Sequence, residues 1–468
     1  MINFIKFFLN EIIILAFFCA AVFIVPVKAS EIKDIDPMTD FNMEKVISGS
    51  VKNTVDMTMD NCIKIALGNN PQISAAFNDI LAQDARIKQV WANYFPQINW
   101  QTSYSHIKQL QLSDAFGRNL QFDYYLLGQV GLQQLLYDFG VVQNQATIQR
   151  LGYESEKKTF ASIVNDVIYQ TKSAYYSLQY AYEAEKVAQN NLDNYQTFYN
   201  QAKALYKIGF NPKVDVTIAQ ANLSKAKMTL INAKNQVNTG IVNLNNVMGV
   251  PYLEKYKIQG ELNFVPLDMS FEDTVKMAIE ARPELKQAQI DVEKAHQNLK
   301  LAKKAYFPSL TAEGQYQKGG KHWTSNDGWV VGIYFNFPNV NAMLINNSIK
   351  EAKFLYDKEI ANAKNIQNNI YKEIQTAYLK LHEKENQLPV AQIQVKEAQE
   401  NYDLSKGRYR VGEATPIEMR EAQNTLAESQ LQYYNALYEY NSARAELEKA
   451  IGKNLIPVKN GDIVDFKK

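Results

Sequence analysis

Two carboxylates, Glu418 and Glu421, stand three residues apart just after Thr415-Pro416, a dipeptide suited to the first turn of a helix. That spacing places both on one helical face, where two like charges together attract cations. A plain solvated helix face would carry the same pair, so the spacing by itself leaves both readings open. Asp215 answers Glu418 at a distance of 203 residues, behind Asn211-Pro212. The four histidines, His106, His296, His322 and His382, are scattered and accompany no cysteine or carboxylate motif. Gly314 to Lys321 bears glycines but lacks the Gly-Lys-Ser/Thr order of a phosphate loop. No nucleophile is set beside a base. The residues therefore point to no enzyme, no cofactor and no protein-borne metal site.

The elements that position these carboxylates are present twice. Met57 to Pro71 and Met269 to Pro283 run in parallel at an offset of 212, which holds to Tyr94-Phe95-Pro96 and Tyr306-Phe307-Pro308. Beyond a gap of nine residues the offset is 203, pairing Tyr175 with Tyr378, Tyr206 with Tyr409, Gly209 with Gly412, Gln220 with Gln423 and Gly249 with Gly452. Such self-similarity means one structural unit used twice.

Within each unit, Thr58 and Ser270 fit helix N-caps, and the pattern predicts a helix of about 35 residues from each cap to the Tyr-Phe-Pro. The period then changes to two. Ile98, Trp100, Thr102 and Tyr104 alternate with polar residues, as do Leu310, Ala312, Gly314 and Tyr316. Leu126 to Leu132 and Trp329 to Phe335 repeat the alternation, so each unit contains a β-hairpin, about 97–136 and 309–338. Next come apolar residues stepping by threes and fours from residue 141 to about 208, a helix on the order of 100 Å long. Its copy contains Pro389, which should kink it. Each long helix turns at a glycine, Gly209 or Gly412, near 209–213 and 412–416, and returns with a period of 3.5 that predicts coiled-coil packing.

The strands carry an apolar, aromatic face and an Asn/Gln/Ser/Thr face, with no third layer to cover the first. A bilayer satisfies that pattern, apolar side to lipid and polar side to water. Strands in lipid must close on themselves, and four are too few. Several chains must therefore share one barrel, continued by a helical tube. Trp100, Tyr104, Tyr124, Trp323 and Trp329 fit the aromatic girdles of such a barrel, and for Tyr124 and Trp323 plain loop packing fits equally well.

Residues 1–29 read as a secretory signal, with Lys6 ahead of an apolar stretch from Ile12 to Val25 and Val27-Lys28-Ala29 at the cleavage site. Phe17-Phe18 do not suit lipid attachment at Cys19. The chain has 50 basic and 49 acidic side chains, and loss of Lys6, Glu11 and Lys28 makes them equal. Balanced charge gives no footprint for nucleic acid. Cys62 alone remains, so no internal disulfide is expected. Residues 30–56 read as a flexible lead, 57–250 as the first repeat, 251–268 as a connector, 269–453 as the second repeat and 454–468 as a tail.

The two Pro…Tyr-Phe-Pro blocks, Leu135-Leu136-Tyr137-Asp138-Phe139-Gly140, the Tyr-Lys-Ile-Gly and Tyr-Arg-Val-Gly turns, and the segments Asp215 to Gln220 and Glu418 to Gln423 together resemble the outer-membrane efflux protein family over nearly all of 57–453. The resemblance implies a mainly α fold with β. Long antiparallel coiled-coil helices would form a periplasmic tunnel, and four strands per chain would contribute to a 12-stranded transmembrane barrel in a homotrimer. It implies an exit duct in the outer membrane, embedded in its lipid. An inner-membrane pump would feed the duct through a periplasmic adaptor, for efflux or type I secretion.

It further implies a gate at the coiled-coil tip, with Asp215, Glu418 and Glu421 at the constriction. Tyr409 matches a latch tyrosine, whereas the latch arginine falls on Ala414, leaving Lys213 as a substitute. Pro338 to Met343 is a degraded copy of the Leu-Leu-Tyr-Asp-Phe-Gly motif and should alter the strand-to-helix exit without abolishing it. Two other classes fit less well. A periplasmic adaptor would have one helical hairpin with a lipoyl-like domain, and a secreted structural coiled coil would be soluble.

Overall fold

A computed structural model describes residues 57–103, 112–113, 119–120, 126–210, 212–250, 256, 258–260, 262–319, 326–338, 341–411 and 413–453. All of these lie in the unit Val46–Lys459. Each repeat opens on a helix pair, α1 (Met59–Asn69) with α2 (Pro71–Trp91) and α5 (Phe271–Ala281) with α6 (Pro283–Lys303). Thr58 and Ser270 are the N-caps, accepting from the backbone N–H of Asn61 and Asp273. The expected single helix of about 35 residues is thus two helices. Asn70 and Arg282 adopt extended backbone because the following proline excludes the helical region for the residue before it.

Each break is tied to the far end of its own repeat. Asn70 Nδ2 donates to the Val247 carbonyl at 2.9 Å, and Arg282 Nη1 to the Lys449 carbonyl at 3.3 Å. Those carbonyls close α4 (Lys213–Val247) and α8 (Pro416–Ile451), which end at left-handed Gly249 and Gly452. A Cβ on Gly249 would fall 2.4 Å from the Asn69 carbonyl oxygen, so that glycine is needed for close approach as well as for its backbone angle.

The long helices are α3 (Val141–Lys207, 67 residues) and α7 (Ala342–Arg410, 69 residues). Pro389 lies inside α7 without ending it, and its own position on the helix is exposed. α3 pairs with α4 and α7 with α8, and α3 also packs along α8, joining the two repeats. The cores are copies of each other. Ala66, Val167, Leu178 and Leu244 in one answer Ala278, Ile370, Leu381 and Leu447 in the other. Between the repeats Lys172 and Glu448 form an ion pair at 2.5 Å, both under 5% exposed, with Arg444 Nε 3.5 Å from the same carboxylate.

Six strands are described: β1 (Gln97–Gln101), β2 (Leu112–Ser113), β3 (Asn119–Leu120), β4 (Leu126–Tyr137), β5 (Ser309–Gly319) and β6 (Asn326–Asn336). The main sheet is antiparallel throughout in the order β1-β4-β5-β6, so the two hairpins join through β4 and β5. β2 and β3 form a separate small sheet within the longer first connection.

Gly249→Ala and Gly209→Ala both place a side chain at positive φ, but only the first also meets backbone, since nothing lies within 4 Å of a Cβ on Gly209. We expect Gly209→Ala to cost about 1–2 kcal/mol and Gly249→Ala clearly more, read as thermal unfolding midpoints in detergent.

Candidate functional site

The register of the sheet sorts its residues into two faces. On one, Trp100, Val130, Tyr316 and Trp329 lie in a row across all four strands, followed by Ile98, Leu132, Gly314 and Val331. Ile98, Trp100, Trp329 and Ile333 are 69–73% exposed, so nothing among the described residues covers this face. On the other face the rows are Gln101, Gln129 and Gln317; Asn99, Gly131 and Gln315; and Gln97, Gln133 and Glu313. The Asn99 carboxamide lies across Gly131, where a Cβ would fall 2.1 Å from its Oδ1. Among the described residues, β1 and β6 each have a strand neighbour on one side only. Trp100 and Trp329 share the apolar row expected of a girdle, whereas Tyr104, Tyr124 and Trp323 lie outside the described residues.

Strand hands over to helix through Asp138 in the first repeat. Its buried carboxylate accepts from Tyr94 Oη at 2.9 Å, from the Gly140 N–H at 3.0 Å and from the Val142 N–H at the start of α3. Phe139 and Gly140 take positive φ there, and Phe139 stacks on Phe307 of the other repeat. In the second repeat Asn341 caps α7 instead, accepting from the Leu344 N–H at 3.1 Å, while Tyr306 Oη donates to Asn346. The altered motif has kept its exit by a different cap.

At the opposite end of the long helices the two hairpin tips pack against each other. Phe198, Ala202 and Ala219 from the first meet Ala398, Tyr402, Met419 and Leu426 from the second. Gly209 supplies the left-handed turn after α3, its N–H donating to the Tyr206 carbonyl at 3.0 Å. Gly412 lies outside the described residues, and Glu413 N–H donates to the Arg408 carbonyl at 2.9 Å around it. Tyr409 packs on Phe198 with ring centroids 5.3 Å apart, and its buried hydroxyl has no hydrogen-bond partner among the described residues. Burial raises the pKa of that phenol, and the charge of Asp215 raises it further. Tyr409 and Asp215 are thus brought together. Lys213 is exposed at the first position of α4, without an ion-pair partner among the described residues.

Glu418 and Glu421 are both exposed in the first turns of α8, but they are not equivalent. Glu418 accepts from Thr415 Oγ1 at 3.1 Å and lies 3.7 Å from Arg408 Nη1, while Arg408 Nη2 donates to the Glu413 carbonyl at 3.1 Å. Arg408 therefore braces the turn and offsets one of the two carboxylates.

The outer membrane efflux protein family model matches residues 62–250 and 274–453. The chain belongs to the outer membrane efflux protein family. Outer membrane protein TolC of Escherichia coli is 18% identical over 405 residues, covering 82% of this chain and 80% of that protein. Toxin and drug export protein A of Aggregatibacter actinomycetemcomitans is 25% identical over 323 residues, covering 65% of each. Among solved structures, the CmeC outer membrane channel of Campylobacter jejuni superposes with a TM-score of 0.72 at 18% identity, covering 87% of this chain and 91% of that one. This efflux protein is therefore an outer-membrane protein of a channel family, not an enzyme, and shares the fold of long helices joined to a β-barrel portion.

Several contributors at the tips escaped the sequence reading. Gln423 Nε2 donates to Asn191 Oδ1 at 2.9 Å and Tyr195 Oη to Asn424 at 2.8 Å, fastening α8 to α3. Gln423 was visible as one of a repeated pair, Gln220 and Gln423, yet only Gln423 is buried. Arg408 had no such signal.

Asp138→Ala should remove three hydrogen bonds and leave buried donors unpaired, costing about 2–4 kcal/mol. Arg408→Ala, breaking an exposed pair, should cost about 1 kcal/mol or less. Thermal unfolding of the two variants in detergent reads the difference.

Proposed function

We propose that the chain is the outer-membrane exit duct of a tripartite efflux or type I secretion system. It works as a homotrimer whose four-stranded sheets close a 12-stranded barrel. An inner-membrane pump feeds it through a periplasmic adaptor, and it opens at the hairpin tips. The observation that carries this reading is the open-edged, two-faced sheet. Its apolar rows suit lipid and its amide rows suit water, and its edges β1 and β6 require partners that only other copies supply.

The duplication supports the same closure in the helices. Within one chain α8 fastens to α3 through Gln423 and Asn191. At the offset of 203 the corresponding pair is Gln220 on α4 and Gln394 on α7, both exposed. Setting Gln220 of one copy against Gln394 of the next repeats a contact this sequence already makes. It also covers the exposed apolar residues Ile218 and Met228 of α4 and Ile393 and Leu404 of α7.

At the tip, Asp215, Glu418 and Glu421 form the constriction, with Tyr409 and Lys213 as the latch and Gly209 and Gly412 as the turns. In a trimer, Glu418 and Glu421 provide six carboxylates, which attract cations and repel one another. Because Arg408 offsets Glu418, Glu421 is the stronger contributor. The pump behind the duct chooses the cargo.

Two outcomes are expected. Gln220→Cys with Gln394→Cys should cross-link under oxidation into covalent dimers and trimers, and a product that stays monomeric would count against the closure. Glu418→Ala with Glu421→Ala should enlarge single-channel conductance and lower cation selectivity in planar bilayers. Glu421→Gln alone should lower selectivity more than Glu418→Gln, and unchanged currents would remove the tip carboxylates from the gate.

A further inference from the structure

The polar face of the sheet is almost entirely neutral. Gln97, Asn99, Gln101, Gln129, Gln133, Gln315 and Gln317 give it amides, and Gly131, Gly328 and Gly332 leave gaps without side chains. Among the described residues of that face, Glu313 is the one carboxylate. Lys318 and Asp327 are opposite each other in the register, but on the other face, beyond the Trp329 row. Glu313 is also held in place. Its Oε1 accepts from Gln133 Nε2 on β4 at 3.2 Å and from Thr311 Oγ1 at 3.2 Å, and Thr311 Oγ1 accepts in turn from Asn336 Nδ2 on β6 at 2.9 Å. Directly across β5/β6 from it stands Gly332, and the Tyr334 ring, a neutral group, lies over that glycine. The row lies between the helix-proximal end of β5 and the aromatic row of Tyr316 and Trp329. It therefore falls inside the lipid-facing band, far along the chain from the hairpin tips.

We propose that Glu313 sets a charge preference in the membrane part of the duct, favouring cationic over anionic solutes, separately from the carboxylates at the tips. This rests on the duct reading above, in which closure turns the amide face into the wall of a water-filled lumen and three copies of Glu313 into one ring. Among the described residues of this face no cation stands beside the carboxylate, so its field acts on the lumen. Screening confines that field to about 10 Å at 0.1 M salt and about 30 Å at 0.01 M, so the preference should be strongest in dilute salt.

The test is the reversal potential of full-length protein in planar bilayers under a potassium chloride gradient. The Glu418→Ala/Glu421→Ala background removes the tip carboxylates. That background should retain a cation preference that grows as salt is lowered. Adding Glu313→Gln should bring the cation-to-anion permeability ratio close to one, and Glu313→Lys should carry it to the anion side. Gln133→Glu, which doubles the charge of the same row, should raise the ratio, and this keeps the test open if a Glu313 variant fails to insert. A reversal potential that neither Glu313→Gln nor Gln133→Glu moves would overturn the assignment while leaving the duct intact. A wild-type protein that conducts nothing, before and after removal of the tip carboxylates, would overturn the duct reading and this assignment with it.

Discussion

A sheet with one apolar face and two open edges cannot remain alone in a bilayer. Each unpaired backbone N–H or C=O in hydrocarbon costs several kcal/mol, and no water is present to take the place of a strand. Here the edges are β1 and β6, and the apolar rows running from Trp100 to Trp329 mark the face suited to lipid. The other features follow from meeting this constraint. Two hairpins must join through β4 and β5, each strand must pass cleanly into a helix, and the helices must arrange themselves into a wall whose ends can find one another.

The duplicated unit meets that requirement by doing the same task with different residues. Asn70 and Arg282 both anchor a proline-broken helix to the end of the returning helix. Asp138 and Asn341 both start a helix of nearly 70 residues after a strand. At two of the places where the copies differ, the second repeat carries the charge, Arg282 in place of Asn70 and Glu448 in place of Asn245. Arg282 reaches Glu373, and Glu448 forms the buried pair with Lys172 that links the repeats. A buried pair of this kind is weak as a source of stability but strict about position, since loss of one partner leaves the other uncompensated. It fits a joint whose geometry must be reproduced in every copy.

Much of this was legible in the sequence, for physical reasons. The long helices and the strands follow from periodicity, because the 3.5 and 2.0 periods over such lengths leave few alternatives. Thr58 and Ser270 were recognisable as caps because a cap is a local interaction. The helix breaks at Asn70 and Arg282 are hidden in the periodicity, because each apolar pattern continues past its proline although the backbone does not. Pro389 shows the reverse, an interior proline tolerated on an exposed helix face. Arg408, Tyr195 and the partners of Glu313 depend on contacts between distant segments, which spacing along the chain does not encode.

The central claim is that copies of this sheet close on one another in threes. Native mass spectrometry of the protein extracted from outer membrane in mild detergent counts the chains directly. The account calls for a particle of three chains that separates into single chains on heating. A single chain, stable and monodisperse after the same extraction, would contradict it.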